Sequence, residues 1–114
     1  MVLLVLGLSA CGQDPAATWR LAQEPDPQDV SVSVLVSERA CSSGRTAEGR
    51  IQEPEVEYRR EEVVITVRVD ALDGANSCPG APETPFTVEL SEPIGTRALV
   101  DGGQAPAATV SPPG

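Results

Sequence analysis

The 114-residue chain contains no histidine and no lysine, and it has a single Trp, a single Tyr and a single Phe. Each absence removes a class of chemistry. Without imidazole, Ser-His-Asp and Cys-His nucleophilic catalysis lack their general base, and the commonest ligands of transition-metal sites are missing. Without a lysine amine there is no Schiff-base chemistry. The scarcity of rings also limits the core, because aromatic side chains bury the most area per residue. No apolar run approaches the roughly 20 residues that a membrane-spanning helix needs.

Charge of one sign is scarce as well. Seventeen acidic residues face eight basic ones, every one an arginine, for a net charge of −9. A chain this acidic is repelled by nucleic acid and by anionic head groups, so neither is expected as a partner. Carboxylate-pair chemistry stays open in principle. However, Glu53, Glu55 and Glu57 alternate with Val56 and Tyr58, and Glu61 and Glu62 follow directly. That pattern describes a solvated strand face. Asp70, Asp73 and Asn76 gather near a turn but lack the EF-hand loop spacing. No cofactor and no metal site is expected.

What is present begins at the amino terminus. The apolar run from Met1 to Leu8 has the length of a signal-peptide h-region. A buried strand or an ordinary signal peptide are the alternatives for such a run. It ends in Leu8-Ser9-Ala10-Cys11, an order that resembles the lipobox of bacterial lipoproteins. The resemblance implies that residues 1–10 are a signal peptide and that Cys11 is lipidated and becomes the first mature residue. The protein would then sit on the extracytoplasmic face of the cell membrane, held there by its lipid. No Lys or Arg precedes the run, so a basic n-region is expected upstream of Met1.

With Cys11 acylated, two of the three cysteines remain, and Cys41 and Cys78 are expected to form one disulfide. The alternative is a pair of free buried thiols. Two cysteines without histidine do not make a zinc site.

Residues 12–29 carry Pro15, Pro25 and Pro27 without a sustained period and read as a flexible tether, with Trp19 packed on the flank of the domain. Residues 102–114, free of charge and rich in Pro and Gly, read as a disordered tail. Between them, over 30–101, alternation with period two dominates. Val30, Val32, Val34 and Val36 share a face; so do Val63, Ile65, Val67 and Val69, and Phe86, Val88 and Leu90. Arg97–Asp101 suggests a short closing strand, and Arg60-Glu61 has the spacing of a tight hairpin. About five strands, each with one apolar face, must bury that face on another sheet. The expected fold is a small all-β antiparallel sandwich, immunoglobulin-like in general architecture but without the Cys-Trp-Cys pattern. A small, partly open barrel is the alternative.

The most distinctive loop is Ala40-Cys-Ser-Ser-Gly-Arg-Thr-Ala-Glu-Gly-Arg50. Arg45, Thr46 and Arg50 are its candidate binding residues, able to line an anion- or carboxylate-binding concavity pinned by Cys41. The alternative is a connecting loop whose arginines pair with the surplus of acids. Together with Val63–Val67, Cys78-Pro-Gly, Thr84–Leu90 and Glu92–Gly102, this loop resembles small lipoproteins of high-GC bacteria. That resemblance implies no particular activity. The expected role is a lipid-anchored binding or interaction module whose partner is an envelope protein or the cell wall. A structural envelope lipoprotein is the second reading, and a hydrolase is a distant third.

A Cys41–Cys78 bridge closes a loop whose entropy is worth about 4 kcal/mol in the chain-entropy model. That is a large share of the stability of a domain this small. Reduction is therefore expected to lower the melting temperature by roughly 15 °C or more in a calorimetric scan. An unchanged Tm in reductant would refute the structural role of the bridge.

Overall fold

The computed structural model describes residues 16–104 and 107–111. Among them there is no helix, and seven strands form one hydrogen-bonded sheet. They are β1 (Ala16–Leu21), β2 (Ser31–Ser37), β3 (Glu55–Tyr58), β4 (Glu62–Arg68), β5 (Thr84–Glu89), β6 (Ala98–Asp101) and β7 (Ala108–Thr109). The order is β5-β2-β1-β4-β6-β7, with β3 on the other edge of β4.

The alternating valines behave as their period requires. In β2, Val32, Val34 and Val36 are buried while Ser31, Ser33, Leu35 and Ser37 on the other face are half-exposed. Val63, Ile65 and Val67 of β4, continued by Val69, meet them from the other side, with Val88 of β5 completing the layer. β-branched residues suit this pleated surface, and their stiff rotamers lose little freedom on packing. The Arg60-Glu61 hairpin forms at the expected place. Tyr58 pairs with Val63, and the Arg59 N–H donates to the Glu62 carbonyl at 2.8 Å. Pro85 sits in β5, an edge strand, where its missing N–H interrupts no ladder.

Three expectations need correction. The tether assigned to residues 12–29 is in part strand: β1 occupies a central position, and Ala17, Trp19 and Leu21 are core residues. Proline punctuation on both sides masked this strand, and a six-residue stretch with one arginine offers little periodic signal. The sheet is also not wholly antiparallel, because β6 runs parallel to β4, with Val63 opposite Leu99 and Ile65 opposite Asp101. β5 crosses to the other half-sheet, so the chain returns beside β4 in the same direction. Alternation shows that a strand has a buried face but not which strand lies beside it. In the stretch expected to be a disordered tail, Ala108–Thr109 pairs with β6.

β1 joins the two halves of the fold. Its carboxyl-terminal part pairs with β2 (Thr18 to Leu21 against Ser37 to Val34), and its start pairs with β4 (Ala16 with Arg68, Ala17 with Val67). β6 occupies the same edge of β4 over residues 62–65 and then leaves it. At that junction Asp101 is fully buried. Its carboxylate accepts from the Trp19 N–H at 3.1 Å, the Gly103 N–H at 2.8 Å and the Gln104 side-chain amide at 3.2 Å. The Trp19 indole N–H donates to the Ile65 carbonyl at 3.0 Å.

The next two residues must be glycine for steric reasons. A Cβ on Gly102 would collide with the Thr66 hydroxyl and come within 2.8 Å of a Val64 methyl. One on Gly103 would lie 2.6 Å from the Ala17 carbonyl. This close turn covers Val64, on the otherwise solvated face of β4.

Replacing Asp101 with Ala leaves two backbone N–H groups without their acceptor. At about 1–3 kcal/mol per unsatisfied group, the expected loss is roughly 3 kcal/mol or more in a urea titration. Asp101→Asn is also expected to destabilise, because its amide sets a donor against an N–H. Wild-type stability in the Asn variant would show that the junction does not depend on the carboxylate.

Candidate functional site

The register assigns every connection to one of two ends. β1 starts, β2 finishes, β4 finishes and β5 starts at the same end, since Thr18 pairs with Ser37, Ala16 with Arg68 and Val36 with Thr84. Residues 38–54 and 69–83 lie there. The opposite end collects the β1–β2, β3–β4 and β5–β6 connections, namely residues 22–30, 59–61 and 90–97.

At the first end the 40–50 loop meets the β4–β5 connection that carries Cys78. Cys41 and Cys78 form a disulfide with their Cα atoms 4.5 Å apart. The Ser43 N–H donates to the Ser77 carbonyl at 2.9 Å, and the Ser77 N–H donates back to the Ser43 hydroxyl at 3.1 Å. Ser43 takes a left-handed φ of 55° to do this. Farther along, the Ala47 N–H donates to the Thr84 hydroxyl, which ties the loop to the start of β5.

The three candidate residues of this loop do not act together. Arg50 is committed internally: its guanidinium forms a two-pronged ion pair with Glu38 at 2.7 and 3.0 Å and donates to the carbonyls of Thr46 and Asp70. Both side chains are largely buried, at 15% and 7% exposure. The carboxylate and its hydrogen bond hold the Arg50 guanidinium above its ordinary pKa. Thr46 contributes its carbonyl to that strut. Only Arg45 is exposed and, among the described residues, without an ion pair. The loop is thus braced by one arginine and presents another. A charge-rich loop sequence does not distinguish these roles.

The remaining acids behave as a solvated surface. Glu55 pairs with Arg68, Glu57 and Glu62 with Arg59, and Glu83 with Arg20. The hydrogen bonds from Arg59 and Arg20 hold the Glu57 and Glu83 carboxyls below the usual glutamate range. Asp70 accepts from the Gln52 amide, and Asn76 turns back onto the Asp73 and Gly74 carbonyls. Among the described residues no group of three or more acids or cysteines is arranged to hold a metal ion.

The opposite end carries a feature that the sequence did not suggest, an open groove of about 230 Å³. Leu21, Ile94, Leu99 and Val110 form its apolar floor. Its walls are zipped together by backbone bonds: the Ile94 N–H donates to the Asp29 carbonyl at 3.2 Å and the Gly95 N–H to the Pro27 carbonyl at 2.7 Å. Gly95 needs its φ of 69° to make that turn. The Asp26 N–H is capped by the Asp29 carboxylate at 2.9 Å. Arg97 also lines the groove, with its guanidinium held by the Ile94 and Pro93 carbonyls and 5.7 Å over the Tyr58 ring. Glu24 and Asp26 remain on the rim with no side-chain partner among the described residues. The signal available in the sequence was Pro25-Asp26-Pro27 facing Pro93-Ile94-Gly95, two rigid turns that only the fold brings together.

Removing the cation from the Glu38–Arg50 pair separates bracing from display. Arg50→Met leaves a largely buried carboxylate alone and is expected to cost about 3 kcal/mol. Arg45→Met, on an exposed side chain, should stay within about 0.5 kcal/mol. Equal effects in chemical denaturation would contradict this division of labour. The chain matches no family model, no curated protein and no solved structure.

Proposed function

We propose that this protein is a lipid-anchored binding module on the extracytoplasmic face of the membrane, without catalytic activity. The observation that carries the proposal is the lipobox-like Leu8-Ser9-Ala10-Cys11, followed five residues after the cysteine by the first strand of a disulfide-closed domain. Cys11 itself lies outside the described residues. A disulfide tying the two long loops suits an oxidising compartment. An acidic domain of net charge −9 has no electrostatic attraction to anionic head groups, so a lipid is the means of retention that fits its surface.

Binding is favoured over catalysis because the side chains that usually activate nucleophiles or move protons near neutral pH are missing. The carboxylates that remain are ion-paired, solvent-facing or, like the buried Asp101, committed to structural hydrogen bonds. A rigid β scaffold that presents a preformed groove is a common design for recognition.

Metabolic labelling with an alkyne fatty acid tests the anchor. Wild type is expected to incorporate the label and fractionate with membranes, and Cys11→Ala to do neither. An unlabelled protein whose Cys11→Ala form fractionates identically would overturn the proposal.

A further inference from the structure

Strand direction and anchor position together distinguish the two ends of the domain. Ala16 follows Cys11 by five residues, a span of at most about 18 Å when fully extended. Ala16 begins β1 at the disulfide end, and β1 then runs its six residues, about 20 Å, toward the groove end. A chain anchored at Cys11 therefore holds the disulfide loops next to the membrane and the groove on the side facing away. The motif-bearing loop, residues 40–50, lies at the membrane-side end, whereas the accessible end is the one with the groove.

The groove also constrains what it can take. At about 230 Å³ it is smaller than the roughly 300–1,000 Å³ typical of sites that enclose a whole small molecule, but it suits a single inserted side chain. Its floor is apolar and its walls are fixed by backbone hydrogen bonds, so little ordering entropy is lost on binding. Its rim carries the unpaired carboxylates Glu24 and Asp26, while Arg97 is already satisfied. Arg60 is the unpaired cation at this end among the described residues, and it lies on the β3–β4 turn, outside the groove lining. The net charge of −9 adds long-range attraction for a cationic partner.

We infer that the groove is the partner-facing site and takes an extended polypeptide segment. One apolar side chain enters between Leu21, Ile94 and Leu99, and a flanking basic residue meets Glu24 and Asp26. The outward placement of the site rests on the lipid-anchor reading; the groove chemistry does not.

The test uses the full lipidated chain in phosphatidylcholine nanodiscs and a fluorescein-labelled heptapeptide with one leucine flanked by two arginines in a glycine-serine background. Saturable binding is expected, lost when the leucine is replaced by aspartate. It should weaken about tenfold or more in the Glu24→Lys/Asp26→Lys double variant, and Arg45→Glu at the other end should leave it unchanged. Amide spectra of the variants establish that each is folded, and Ala98→Trp, which fills the groove from an exposed position, should block binding independently. With a gadolinium-chelating lipid in the disc, the amides of Ser43 and Ser77 should broaden more than those of Gly95 and Thr96. Binding that ignores the leucine, or that the double and Ala98 variants leave intact, overturns the groove assignment. Equal or stronger broadening at Thr96 overturns the orientation. A chain that carries no acyl group and does not join the disc removes the anchor reading and the orientation with it, while the peptide titration still decides the groove.

Discussion

The fold depends on one shared strand. β1 pairs with β2 along its later residues and with β4 along its first two, and where β6 leaves β4 the buried Asp101 carboxylate takes over as acceptor for the Trp19 N–H. Without that acceptor, the junction between the half-sheets would expose a backbone donor to the core. An unpaired buried N–H costs about as much as a lost hydrogen bond, or more. The Trp19 indole reaches the Ile65 carbonyl across the same junction, so the only tryptophan of the chain links both halves. Gly102 and Gly103 follow because no side chain fits under the turn that brings Asp101 inward.

Around this junction valine supplies half of the buried core among the described residues, with Ile65, Ile94, Leu21 and Leu99 as the larger aliphatics. Such a core is uniform and small, which makes its polar fastenings matter more. The disulfide, the Glu38–Arg50 pair and the Thr84 hydroxyl all act on the long loops at one end. They hold residues that contribute little apolar burial of their own. Five of the eight arginines are in ion pairs with acids, spread over both ends of the domain. Pairs on the exposed faces add little stability singly, but they leave the unpaired charges confined to a few places.

That distribution underlies the functional proposal. The end with the loops is stapled, polar and adjacent to where the chain enters the domain. The other end is preformed, apolar at its floor and acidic at its rim. Under the proposed anchor at Cys11, only a few residues before β1, the direction of β1 becomes a functional property. The same domain on a long flexible linker would have no preferred outward face.

The sequence by itself determined the all-β class, five strand positions that recur in the structure, the Arg60-Glu61 hairpin and, once Cys11 is set aside, the cysteine pair. Each rests on local chemistry: period-two burial, β-branched residues and turn composition act over a few neighbouring residues. The tertiary structure alone decided that Ala16–Leu21 is a central strand, that β6 lies parallel to β4, that Arg50 is a brace and that a groove exists at the far end. These depend on which segments become neighbours. β1 is short and interrupted by proline on both sides, so its burial is set by pairing with β2 and β4 rather than by its own pattern. The groove has the same origin, since Leu21 and Ile94 are 73 residues apart in the chain and only the register of the sheet brings them together.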